Sequence, residues 1–350
     1  MKTYNVYGIG HALVDIECHV EETFLREVGL DKGTMTLVDA ARQDHLHRRL
    51  AQHVIHRSSG GSSANTMVGL AQFGGRCFHS CKTAEDELGQ FFLADMRTHG
   101  VDNRLGLDDR PLMEDSEADR SPVPAEQGVT GRCMVMITPD AERTMCTHLG
   151  ISETFSVADL SEAHLRQAEY LYMEGYLVSA PVTRAAAVAA KGMARAHGVK
   201  TALTFSDVSM IDYFRSGMEE VVSGGLDLLF CNENEALRFA DTDSLAVAMR
   251  RLEEVATLCC LTLGGRGAKV FGRGGILVDI PGIEVKAVDT NGAGDLFAGV
   301  FLYGITHGYS LDRAGLLASH AAARLVTQYG ARLRAGQAAL IKNSSGVTHE

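Results

Sequence analysis

The chain has 350 residues, 45% of them apolar and 22% charged, with a formal net charge of −11. That length holds one large or two ordinary domains with ample core, and the composition is that of a globular protein. The acidic balance argues against a polyanionic partner such as nucleic acid, while leaving room for one nucleotide in a local site. Eight cysteines include no Cys-x-x-Cys pair, so neither a zinc site nor a disulfide framework is indicated, and reduced thiols in a cytoplasmic protein are expected. The opening residues do not read as a signal peptide, and no apolar run nears the roughly 18 residues of a membrane span.

Tyr4 to Ile9 reads as a strand that ends in Gly8-Ile9-Gly10. The third glycine of a dinucleotide fingerprint is missing, with Leu13 in its place, and Val14-Asp15-Ile16 continues as strand rather than helix. By itself Asp15 reads as an edge-strand acid in solvent. Glu21 to Gly29 is expected to be a short helix, Thr34 to Val38 extended, and Asp39 to His56 a helix. His45 and His47 point to different faces of that helix, and no acidic ligand shares the turn of His53 and His56, so all four suit solvent better than a metal.

Ser59 to Thr66 is a glycine turn running into a helix, Met67 to Phe73, closed by Gly74-Gly75. The open amides of Gly60 and Gly61, with the Ser62 hydroxyl and the Asn65 amide, suit a polyhydroxylated ligand. Ser62 or Ser63 as a plain N-cap accounts for the same residues. Asp108 to Gln127 holds seven acids, two arginines and three of the chain's six prolines, and reads as a mobile surface loop. Arg132 to Thr138 and Arg143 to His148 form a hairpin.

From Leu160 onward strand and helix patterns alternate: strands at 169–173, 201–205, 226–231 and 259–263, helices at 181–197, around 218–222, and at 233–239. Such alternation predicts a parallel sheet covered by helices on both faces, with ligands at the carboxyl ends of its strands. Asn232 and Glu235 stand at one such end, where helix capping explains them equally well. Thr262-Leu263-Gly264-Gly265-Arg266-Gly267 stands at another. A hairpin, 268–278, and a short strand, Ile283 to Val288, lead to Gly292-Ala293-Gly294, which opens the apolar helix Leu296 to Ile305. Free amides at a helix start attract an anion, most often phosphate. Asp295 inside such a site is anomalous unless it takes a proton there, although first-turn acids are also favoured by the helix dipole. Leu311 to Thr327 is expected to be helical, and the polar tail after Ala335 loosely held.

Two stretches carry a resemblance. Asp289-Thr290-Asn291-Gly292-Ala293-Gly294-Asp295 before an apolar helix resembles the C-terminal signature of the ribokinase/PfkB family of small-molecule kinases. Gly60-Gly61-x-x-x-Asn65, Gly74-Gly75, Asp86-Glu87-Leu88-Gly89 and Gly100-Val101 resemble its N-terminal signature, about 230 residues earlier. The resemblance covers roughly residues 4 to 335. It implies one ribokinase-like α/β/α domain spanning 1–350, with a mostly parallel central sheet and a small β lid formed by about 11–40 and 102–150. It also implies transfer of the ATP γ-phosphate to a primary alcohol, with Asp295 as base and the amides of Gly292, Ala293 and Gly294 as anion hole. Gly60, Gly61, Ser62 and Asn65 would bind the acceptor, Arg143 would lie near the transferring phosphate, and Asn232, Thr262, Gly264 and Gly267 would face ATP. Glu235 would hold Mg²⁺ through water, and activation by a monovalent cation such as K⁺, common in the family, is for this chain only what the resemblance implies.

Gly-x-Gly-x-x-Leu-Val-Asp-Ile resembles nucleoside kinases, in which the residue matching Asp15 binds two ribose hydroxyls. The stretch 24–39 and Glu142-Arg143-Thr144-Met145 resemble adenosine kinases; Met35, Leu37, Met134 and Met136 read as an apolar wall for a purine or, as such stripes more often are, as ordinary core. A ribose, fructose or inosine/guanosine kinase, or a sensor that keeps the fold without turnover, stays open. Either a monomer or a homodimer is expected.

Overall fold

The computed structural model describes residues 2–104, 128–140 and 142–344; the acidic stretch 108–127 lies outside them. In chain order come β1 (Tyr4–Ile9), β2 (Leu13–His19), α1 (Glu22–Glu27), β3 (Met35–Leu37), α2 (Ala40–Leu50), β4 (Val54–Gly60), α3 (Ser62–Gln72), β5 (Cys77–Ser80), α4 (Glu87–Thr98), β6 (Val101–Asp102), β7 (Gly131–Ile137) and β8 (Arg143–His148). Then follow α5 (Glu162–Leu165), β9 (Ala168–Glu174), α6 (Pro181–Ala196), β10 (Lys200–Thr204), α7 (Val208–Val222), β11 (Leu226–Asn232), α8 (Glu233–Phe239), α9 (Leu245–Val255) and β12 (Ala256–Thr262). The chain closes with β13 (Ala268–Gly272), β14 (Ile276–Ile280), α10 (Ala293–Thr306), α11 (Leu311–Leu325) and α12 (Gln337–Ser344).

Nine strands form one sheet in the order β14-β13-β12-β11-β10-β9-β1-β5-β6. From β12 to β6 every pairing is parallel, and β13 and β14 add an antiparallel edge. Side chains on its strands alternate between two cores, which is why they read as continuous apolar runs. Leu171 and Met173 of β9 pack with α6 and α7, while Tyr172 between them packs with α3 and α10. The chain runs outward from β1 in one direction through β5 and β6 and returns at β9, so a crevice opens at the β1/β9 junction.

A second, five-stranded sheet has the order β3-β8-β7-β2-β4. β4 enters it from outside the segments 11–40 and 102–150. The helix expected over 39–56 stops at Leu50, and Val54 to Gly60 pairs antiparallel with β2. That strand is polar and sits at the sheet's edge, so it carries little alternation to announce it. Two further expectations fail. Ile283 to Val288 forms no strand; its residues are mostly exposed and find no partner strand. The tail is anchored, because α12 buries Ala338 and Ile341 and its Lys342 ammonium donates to the Phe73 carbonyl (3.1 Å) and the Tyr303 hydroxyl (2.9 Å). All eight cysteines are buried free thiols. Among the described residues no helix is long and apolar enough to cross a membrane.

Candidate active site

A cavity of about 410 Å³ lies at the carboxyl ends of the parallel strands. Its floor comes from those ends: His11 after β1, Glu174 of β9, Thr204 of β10, Asn232 of β11 and Thr262 of β12. Its other wall comes from the second sheet, through Leu13, Asp15, Met35, Leu37, Cys133 and Met145. Met134 and Met136, expected in that wall, are wholly buried in the core instead. Strand alternation decides this: Cys133 faces the cavity, so its neighbour Met134 faces away.

Asp295 sits in the first turn of α10, half-buried in the cavity wall. The N-cap, Gly292, is left-handed at φ 73°, and a Cβ there would fall 2.6 Å from the Ala331 methyl, so only glycine fits. The Ala293 amide turns back to the Thr290 carbonyl (3.2 Å), and Ala293 is not part of the cavity wall, whereas Gly292 and Gly294 are. Of the three residues expected to form an anion hole, only Gly292 and Gly294 line the cavity. Helix α3 approaches α10 closely because glycines face it. A Cβ on Gly299 would lie 2.3 Å from the Thr66 carbonyl oxygen, and one on Gly69 would lie 2.9 Å from Leu296 Cδ1. That proximity lets Ser62 Oγ donate to Asp295 Oδ1 at 2.6 Å and Asn65 Nδ2 to Oδ2 at 3.3 Å. Burial pushes the Asp295 carboxyl up to about 6, with these two hydrogen bonds pulling against it. Such a carboxyl is ionised at neutral pH yet basic enough to take a proton.

Asp15 lies on β2, inside the second sheet between β7 and β4 rather than at an edge. Its carboxyl rests against Gly60, where a Cβ would fall 2.4 Å from the carboxyl atoms. Gly61 has φ 98° and lies on the His11 carbonyl, 2.5 Å from where its Cβ would be. The tight glycine pair thus gives the Asp15 carboxyl its space. Burial pushes that carboxyl up to about 7; Arg332 pulls it down, Glu17 up, Arg143 down and Asp295 up.

Asn232 caps α8 and forms a reciprocal box with Glu235: Asn232 Oδ1 accepts from the Glu235 amide (2.9 Å), and the Glu235 oxygens accept from the Asn232 amide (3.0 Å) and Nδ2 (2.7 Å). Both residues also line the cavity. Burial, then the charges of Asp207 and Asp295, push Glu235 up to about 7. Thr262 lines the cavity with its hydroxyl 3.5 Å from the Cys231 carbonyl. Gly264 (φ 60°) stands in an open turn, and Gly267 (φ 90°) packs on the Ile280 carbonyl; neither reaches the cavity wall. Arg143, expected near the acceptor and the phosphate, pairs with Asp289 at 3.0 Å and Glu17 at 3.4 Å and does not line the cavity. Among the described residues no three His, Cys, Asp or Glu converge as a metal-binding group.

The wall residues that escaped the sequence reading include four with polar side chains near the crevice. Glu174 accepts from the backbone amides of His11 (2.7 Å) and Ser63 (2.8 Å), and so satisfies an open amide at the start of α3. Burial pushes its carboxyl up to about 7. His11 keeps both ring nitrogens buried without a hydrogen bond, and burial lowers it to about 4. Ser206 holds a left-handed backbone at φ 69° and accepts from the Gly175 amide (2.8 Å); Asp207 beside it caps α7. A glutamate closing a strand was the one local signal; the others are placed by chain crossings.

A mostly parallel sheet between helices, a small second sheet at its carboxyl edge, and a glycine anion turn holding a carboxylate define a small-molecule kinase without a P-loop. Residues 33–109 and 112–336 match the pfkB family of carbohydrate kinases, and the chain belongs to that family. It is 34% identical to the adenosine kinase from Sinorhizobium meliloti, whose structure matches with a TM-score of 0.83 over 97% of this chain and 99% of that one. A probable sugar kinase from Rhizobium etli is 31% identical, with a TM-score of 0.85 over 99% and 100%. The adenosine kinase of Schizophyllum commune is 27% identical over 357 residues, covering 94% of this chain and 96% of that protein. Membership makes the chain an ATP-dependent kinase of a small-molecule acceptor.

Proposed function

We propose that this kinase phosphorylates the 5′-hydroxyl of a purine nucleoside, adenosine foremost. The observation that carries the reading is that one cavity joins three parts: the Asp295 carboxylate at the glycine turn, the Asp15 carboxylate over Gly60, and an apolar wall of Leu13, Met35, Leu37 and Met145. A hydroxyl to activate, a vicinal diol to hold and a flat base to cover are the three parts of a nucleoside.

In this reading Asp295 accepts the hydroxyl proton while Ser62 and Asn65 hold its carboxylate in place. The Gly292 and Gly294 amides and the positive end of α10 stabilise the developing charge. Asp15 accepts from the ribose hydroxyls, with Gly60, Gly61 and Asn65 beside it, and the second sheet closes over the base as a lid. Asn232 and Thr262 face the nucleotide. Magnesium bound with ATP would neutralise phosphate charge, and Glu235 fits as its holder through water, since its carboxyl is buried beside two other carboxylates. Asp289, the carboxylate beside the glycine turn, pairs with the Arg143 guanidinium at 3.0 Å.

Competition kinetics by coupled ADP release test the reading with adenosine, 2′-deoxyadenosine, inosine, guanosine, ribose and fructose. Hydrogen bonds to a charged group are worth roughly 1.5–3 kcal/mol, so adenosine should exceed its 2′-deoxy form by about 10- to 100-fold in kcat/KM. The likeness to the R. etli probable sugar kinase favours the second reading, and ribose or fructose winning would establish it in place of the first. ADP release that no acceptor stimulates would point to a sensor.

A further inference from the structure

Arg332, between α11 and α12, is nearly buried and belongs to no wall of the cavity. Its guanidinium reaches three elements. Nε donates to Asn65 Oδ1 on α3 (3.3 Å), Nη1 to Asp95 Oδ2 on α4 (3.1 Å), and Nη2 to Ser59 of β4, both at Oγ (2.9 Å) and at the carbonyl. Ser59 closes the ring by donating to the same Asp95 oxygen through its amide (3.0 Å) and hydroxyl (2.6 Å).

A side-chain amide offers an oxygen that accepts and a nitrogen that donates, and its two orientations differ little in shape. A guanidinium has donors only, so the Asn65 oxygen must turn to Arg332 and the nitrogen is left facing Asp295. The reverse orientation would set an amide oxygen against the Asp295 carboxylate and an amide nitrogen against a cation, which is unfavourable at both ends. We infer that Arg332 is a positioning residue for phosphoryl transfer, acting on Asp295 solely through the orientation it imposes on Asn65. The inference rests on the reading of Asp295 as the proton acceptor. Arg332 does not line the cavity, and its charge also lowers the Asp15 carboxyl.

The test is a double-mutant cycle of Arg332→Met and Asn65→Ala, read in kcat with whichever acceptor the wild type prefers, alongside melting temperatures. Each single variant should lose about 10- to 100-fold, and the double variant should be within about 2-fold of Asn65→Ala. In Arg332→Met the acid limb of kcat should also move upward by roughly 1 to 2 pH units, the worth of one hydrogen bond to the Asp295 carboxylate. Asp15, Glu174, Glu235, Tyr172 and Tyr176 also face Asp295; all keep their identity in the variants, and the charge of Arg332 on Asp15, lost in Arg332→Met, stays in Asn65→Ala. Multiplying losses, an unmoved acid limb, or wild-type kcat in Arg332→Met would each overturn the inference. Should Arg332→Met not fold, Arg332→Lys replaces it, since one ammonium cannot hold Asn65, Asp95 and Ser59 together; about 5- to 10-fold loss, again non-additive with Asn65→Ala, is then expected. Wild-type turnover by Asp295→Asn would instead refute the proton-acceptor reading. An additive cycle with an inactive Asp295→Asn removes only Arg332.

Discussion

Gly60→Ala is the sharpest probe of the acceptor site, because it alters one carboxylate and no catalytic group. Gly60 lies in strand conformation, so alanine is acceptable to the backbone. The added methyl, however, would stand 2.4 Å from Asp15 Cγ, Oδ1 and Oδ2, whereas ordinary contact begins near 3.4 Å. The carboxyl must therefore retreat by about 1 Å (3.4 − 2.4), and the strand carrying it is pinned on both sides by β7 and β4. A displacement of that size is enough to lose one or two charged hydrogen bonds, each worth roughly 1.5–3 kcal/mol. Initial-rate kinetics should show the acceptor KM rising by on the order of 10²-fold, with the ATP KM within about 2-fold of wild type. Asp15→Ala should behave alike, and the double variant should be no worse than Asp15→Ala. Unchanged acceptor kinetics in Gly60→Ala would mean that the Asp15 carboxyl does not touch the acceptor.

Asp295→Asn should lower kcat by on the order of 10²- to 10⁴-fold while ATP still binds by calorimetry, and the wild-type kcat should fall off below about pH 6 as Asp295 protonates. Asp15, Glu174 and Glu235, near 7, and Asp295, near 6, are all raised above their unfolded values. Between those values these four groups hold protons in the native state that the unfolded chain has lost, and they outnumber His11 and His79, whose depressed values act in the opposite sense, so the ligand-free protein should melt at a higher temperature at pH 5 than at pH 7.5, measured by calorimetry; the opposite slope would refute the burial of these carboxyls. Glu235→Gln should raise the Mg²⁺ concentration needed for half-maximal rate with little change in melting temperature, and an unchanged Mg²⁺ titration removes Glu235 from the metal's surroundings.

Features set by neighbours within a turn were legible before any fold was known. The alternation after Leu160 gave the parallel sheet, because a strand buried on both faces must be apolar throughout. Asn232 and Glu235 are three residues apart and cap one helix, so the spacing alone places them together. Where packing overrode pattern, the reading slipped. Val54 to Gly60 became a strand because β2 had a free edge, not because its own residues alternate, and Ile283 to Val288 had strand-forming residues without an edge to join.

The sequence by itself determined which segments turn, which helix starts expose amides, and that a carboxylate stands at one of them. Glycine's backbone freedom and a helix's unpaired amides are local properties, readable from residue type and spacing. Only the tertiary structure decided what that carboxylate meets. Ser62 is 233 residues from Asp295 and Arg332 is 267 from Asn65, and each pair is joined by helices that approach closely through glycines or by a loop returning from the far end of the chain. It also paired the Ala293 amide with the Thr290 carbonyl and turned Arg143 toward Asp289. Hydrogen bonds act over about 3 Å, so no pattern along the chain can specify a partner that only folding brings within that reach.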